Sequence, residues 1–124
     1  MFIIILAKGE IMCTENTLKI ILDDVCKRAK NEFGTALDAV ILYGSYARGD
    51  YDEESDIDVM IIADMSNEKI KAFTKAFSDY SLDMDLKYDI VLSLVLQDKA
   101  TYDRYKATYP FFKNIEKEGV DLVA

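Results

Sequence analysis

The sequence predicts an α/β or α+β sandwich, a small mixed sheet flanked by helices. Three observations predict it. Amphipathic helical stripes alternate along the chain with short apolar runs of strand length. The first two of those runs are joined by a connection too short to hold a crossover helix, so they pair antiparallel and the sheet is mixed. The 124 residues contain a single proline and no repeat, linker or low-complexity run, so residues 1–124 read as one domain around one core.

Residues 1–11 stand apart. Phe2-Ile3-Ile4-Ile5-Leu6 is apolar but too short to span a bilayer, and it lacks the cationic start and cleavage site of a signal peptide. It reads either as an extra edge strand or as an extension ahead of a start at Met12. From Thr14 to about Phe33, Leu18, Ile21, Leu22, Val25 and Ala29 form one helical stripe, and Gly34 is placed to end the helix. Ala39 to Tyr43 reads as a buried strand that runs straight into Gly44. The polar stretch Tyr46 to Ser55 is a turn or short helix followed by a loop, and Asp56 to Ile62 is the second strand. Asp64 or Ser66 caps one further helix, whose apolar face is Ile70, Phe73, Phe77 and Tyr80. Asp89 to Leu94 reads as the third strand. A helix over Lys99 to Ala107 and another from Pro110, closed by Gly119, complete the order.

Composition narrows the chemistry. Hydrophobic residues make up 51% and charged residues 31%, as in ordinary globular domains. The net charge of −8, with lysines scattered rather than striped, argues against a long nucleic-acid substrate but not against a metal-chelated nucleotide. The absence of histidine excludes histidine-based zinc hydrolases and serine- or cysteine-histidine catalysis. Cys13 and Cys26 fit neither a zinc site nor a disulfide scaffold and read as free thiols of a reducing cytoplasm. No membrane segment is expected.

The residues that carry chemistry lie between 44 and 58. Asp56 and Asp58, at i and i+2 on one strand, project to the same side roughly 7 Å apart at their α-carbons. Oxygen donors of this kind suit Mg²⁺ or Mn²⁺, and two such ions sharing a carboxylate can clamp an in-line phosphoryl or nucleotidyl transfer. Set at the start of a buried apolar strand, the two acids need a partner or a metal. By itself a D-x-D pair could equally be a solvated strand end. Gly44 lets the backbone approach a ligand closely, and the Ser45 hydroxyl with nearby amides can hold phosphate oxygens. Arg48 has two readings, a phosphate contact or an ion pair with an acid of the loop. Asp50, Asp52, Glu53 and Glu54 read as a solvated acidic loop, and Tyr43 and Tyr46 as packing residues rather than base-stacking ones.

Gly44-Ser45, ten residues and then Asp56-Ile57-Asp58, with a strand on either side, resembles the signature of the polymerase-β nucleotidyltransferase superfamily. The stretch Gly44-Ser45-Tyr46-Ala47-Arg48-Gly49-Asp50, continued through Ser55 to Asp58, looks like the minimal nucleotidyltransferase (MNT) family. The closing Tyr109 to Phe112 and Ile115 to Val120 are similar to the ends of such domains. The element order extends the resemblance over about residues 14–120.

The resemblance implies a nucleotidyltransferase fold and a third carboxylate on a later strand that completes the metal site and helps deprotonate the attacking hydroxyl. Asp89 is the candidate, Asp85 the alternative if the strand starts earlier, and Asp83 shares their parity. It further implies ATP as substrate with Mg²⁺, two ions held by Asp56, Asp58 and Asp89, and the nucleotide phosphates near Gly44, Ser45 and Arg48. Members of this family work beside a HEPN-domain toxin as its antitoxin and adenylylate a tyrosine of that ribonuclease. Two other acceptor readings remain, a small-molecule hydroxyl of the aminoglycoside type and a non-catalytic antitoxin that blocks its partner by occlusion.

Overall fold

The computed structural model describes residues 15–123. The Phe2–Leu6 segment, Cys13 and Thr14 lie outside them. Helix α1, Glu15–Phe33, buries Leu18, Ile21, Leu22, Val25, Cys26, Ala29 and Phe33 along one face. Gly34 leaves it at φ +54°, a left-handed exit that suits glycine, and a short 3-10 turn, Gly34–Ala36, leads into strand β1, Leu37–Tyr43. A single helical turn, α2 (Ser45–Arg48), follows at once, and the loop returns as β2, Ile57–Ala63.

Helices α3, Asn67–Lys71, and α4, Thr74–Tyr88, replace the one helix expected there. Ser66 is the residue that caps it, its side chain accepting from the Lys69 N–H. The break comes where the N–H groups of Ala72 and Phe73 bond back three residues, to Lys69 and Ile70. That tightened turn seats the Phe73 ring 4.6 Å from Phe33 of α1. Strand β3 is Leu92–Asp98, not Asp89–Leu94 as the sequence suggested. Asp98 ends β3 and caps α5, Lys99–Tyr105, accepting from the Thr101 N–H at 2.8 Å. Helix α6, Pro110–Glu118, stops at Gly119, and β4, Val120–Asp121, closes the described chain.

The sheet order is β3-β2-β1-β4. β1 is antiparallel to both β2 and β4, while β2 and β3 run parallel, so the sheet is mixed, as the short β1–β2 connection required. Alternation along the strands divides the interior. Val40, Leu42, Ile57, Val59, Ile61 and Leu92 pack against α1 and α4. Ala39, Ile41, Met60 and Ile62 face the other way, onto Tyr102 of α5 and Phe112 and Ile115 of α6. This second face carries the candidate site, because Asp58 shares the parity of Met60 and Ile62. Among the described residues no helix is long and apolar enough to cross a membrane.

Candidate active site

Three strands bring one row of side chains to the end of the α5–α6 face. In register, Tyr43 of β1 pairs with Asp58 of β2, which pairs with Ser93 of β3. Gly44 follows Tyr43 directly. Its backbone sits at φ +76°, ψ −158°, and a Cβ there would run into the Asp58 carboxylate. Both constraints demand glycine, one conformational and one steric. The Gly44 requirement and the Asp58 carboxylate are thus one piece of geometry.

Asp56 is exposed just ahead of β2, and Asp58 is half-buried one position inside it. Burial pushes the Asp58 carboxyl above its ordinary value, and the neighbouring Asp56 charge adds to this; Arg48 pulls the other way, and Glu118 again raises it. An acid made reluctant to ionise by burial and by a like charge gains from a cation placed between the two. The oxygen donors and their mutual repulsion therefore fit a divalent metal ion. Among the described residues no group of three or more acids or thiols is gathered closely enough to hold a metal ion. Tyr43 lies beside Asp58, and burial, with that charge, lifts its hydroxyl to about 12. It stays neutral through the physiological range.

Asp89 does not open a strand. It is the left-handed C-cap of α4, at φ +53°, with its N–H bonded to the Asp85 carbonyl. It lines a cavity of about 250 Å³ together with Tyr46, Glu53, Glu54, Ser55, Ile90 and Val91. Ser55, which lines it, directly precedes Asp56 in the chain. Asp85 serves the fold instead, since its carboxylate accepts the Leu92 N–H at 2.7 Å and so starts β3. Asp83 lies within α4. On β3 itself the position facing the same way as Asp58 is Ser93, which motif reading passed over because a serine inside an apolar run carries no signal.

Arg48 ends α2 and is paired with acids. Its Nε donates to Asp50 Oδ2 at 3.1 Å and its Nη1 to Glu118 Oε2 at 2.7 Å. The ion-pair reading of Arg48 therefore holds, and one of its partners comes from the far end of the domain. The acidic loop is more ordered than a merely solvated one. Asp52 Oδ1 accepts from the Glu54 N–H, and the Ser55 hydroxyl accepts from the Asp52 N–H. Tyr46 is buried and stacks on Tyr51 with ring centroids 4.4 Å apart, a packing role.

Residues 18–121 match the nucleotidyltransferase domain family, and the chain belongs to it. A candidate protein adenylyltransferase of Methanocaldococcus jannaschii is 41% identical over 107 residues, covering 80% of this chain and 96% of that protein. A second candidate protein adenylyltransferase of the same organism is 32% identical over 90 residues, 73% of this chain and 82% of its own length. Among solved structures, a toxin–antitoxin crystal structure with AMP-PNP superposes with a TM-score of 0.47 at 17% identity, over 82% of this chain and 71% of that one. A mutant of the MntA-HpeT toxin–antitoxin gives a TM-score of 0.47 at 15% identity, over the same shares.

Proposed function

We propose that the chain is a Mg²⁺-dependent adenylyltransferase that moves AMP from ATP to a tyrosine hydroxyl of a HEPN-domain ribonuclease toxin, and that it acts in the cytoplasm as the antitoxin of that partner. The observation that carries the transfer chemistry is the fit of the Asp58 carboxylate against Gly44, with Asp56 beside it, in a chain of the nucleotidyltransferase family. Support for a protein acceptor comes from the two relatives named as candidate protein adenylyltransferases, which this chain matches over most of their length. The HEPN partner is supported by the resemblance of Gly44 to Asp58 to the MNT motif. Cys26, a buried free thiol, fits a reducing compartment.

In this reading Asp56 and Asp58 would hold the metal, with Asp89, which lines a cavity together with Ser55, as the third carboxylate, and Gly44, Ser45 and Arg48 meet the phosphates. A divalent metal bound there would neutralise charge on the triphosphate and polarise the α-phosphate. The acceptor oxygen attacks the α-phosphorus and a new P–O bond forms. The bond from that phosphorus to the α,β-bridging oxygen breaks and pyrophosphate leaves. The hydroxyl proton passes to a carboxylate, Asp89 in this reading. The protein's share is positioning and charge neutralisation rather than covalent catalysis.

The test is incubation with the product of the adjacent gene, Mg²⁺ and ATP, followed by mass spectrometry of the partner. An AMP adduct mapped to a tyrosine, absent with the Asp56→Asn/Asp58→Asn variant, is the expected result. Antitoxin action surviving intact in that variant would favour occlusion instead.

A further inference from the structure

Helix α6 runs along the rim of the catalytic face. Phe111 and Glu118 are seven residues apart, which places them on one flank of the helix. Both reach the site. The Phe111 ring meets Tyr43 edge-on at 5.6 Å, and the Glu118 carboxylate accepts from Arg48 at 2.7 Å. The helix is held firmly in place. Phe112 and Ile115 are buried in the second core, and Gly119 lies so close to Ile41 and to the Ile115 carbonyl that no side chain fits there. Glu118 thus presents its carboxylate from a fixed mount, with its side chain only 21% exposed.

On the other side, Asp50 takes the Nε of the same guanidinium. Two acids on adjacent edges of a planar fork fix its orientation and leave the remaining N–H donors for another anion. A need for charge balance does not explain Glu118. Asp50 already neutralises Arg48, and Glu118 adds a further carboxylate beside an already crowded Asp56–Asp58 pair. What it contributes is direction.

We propose that Glu118 is a positioning residue for the nucleotide: it fixes the Arg48 guanidinium beside Asp58 so that the remaining N–H donors meet the triphosphate. This rests on the reading of Arg48 as a phosphate contact given above. Neighbouring residues offer no signal for it, because the two partners are 70 residues apart.

The test is calorimetric titration of the full chain with Mg²⁺-ATP, with unfolding temperature measured in parallel. Arg48→Ala and Glu118→Ala each weaken binding by roughly ten-fold, and the double variant is no weaker than Arg48→Ala alone. Glu118→Gln still accepts from Arg48 and binds like the wild type. Glu118→Asp keeps the charge but is too short to reach, and it weakens binding as Glu118→Ala does. Additive losses in the double variant overturn the proposal. So does wild-type affinity in Glu118→Asp combined with weakened affinity in Glu118→Gln, which marks a charge effect rather than positioning. Wild-type affinity in Arg48→Ala overturns the phosphate-contact reading beneath it, an outcome distinct from loss at Arg48 with none at Glu118.

Discussion

At the scale of single residues, the proposed site lies where it costs stability. Asp58 is the clearest case, since its folded-state pKa is raised by burial and by Asp56. The native state therefore holds that proton more tightly than the unfolded chain does. Stability from this group is fullest below the ordinary aspartate value of 3.8 and falls as pH rises from there through the raised value. Asp58→Asn removes this dependence. Its expected effect is a higher unfolding temperature near neutral pH, with a flatter pH dependence through the acidic range and no transfer activity. Thermal unfolding across pH checks this. Gly44→Ala offers no such exchange. At φ +76°, with the Asp58 carboxylate in the way, it is expected to lose about 2 kcal/mol and to displace the carboxylate, lowering activity together with stability. Chemical denaturation with a transfer assay measures both.

At the scale of elements, the segment from Asp85 to Leu92 decides how β3 is aimed. Asp85 takes the Leu92 N–H on its carboxylate, while its carbonyl receives the N–H groups of Asp89 and Ile90. Asp85→Ala is expected to cost about 1–2 kcal/mol by stranding the Leu92 N–H, and to reduce activity only as far as β3 frays. Asp89→Asn keeps a side chain that tolerates the left-handed cap, so it should fold as the wild type does. A loss of turnover in Asp89→Asn with unchanged unfolding would mark Asp89 as the third carboxylate, and unchanged turnover would remove it from that role. The same segment shows where sequence reading stops. β1 and β2 were legible because their apolar runs are punctuated by Gly44 and by the polar loop. Asp89-Ile90-Val91 has the composition of a strand, yet the hydrogen bonds of Asp85 hold it as a helix exit, and local propensity cannot see them. The break at Phe73 has no glycine or proline to announce it, since it is set by the ring of Phe33. β4 is two residues long, too short for any alternation to register.

At the scale of the whole molecule, the sheet sorts its two faces into separate roles. α1 and α4 cover one face with the larger apolar core, and α5 and α6 cover the other, where Tyr43, Asp58 and Ser93 line up at the strand ends. The proposed carboxylate pair was legible as a motif; Asp58 lies in β2, while Asp56 precedes the strand and acts on Asp58 through its charge. Its rim was not, because Glu118 reaches Arg48 only through the packing of α6 against β1. The most direct measurement of the central claim, that this site performs nucleotidyl transfer, is a pair of parallel reactions with ATP labelled at the α- or at the γ-phosphate, run with Mg²⁺ and the partner protein. The expected result is α-label on the partner, none from γ-labelled ATP, and loss of the signal in Asp56→Asn and in Asp58→Asn. Label arriving from the γ-phosphate, or α-label transferred undiminished by both variants, would contradict it.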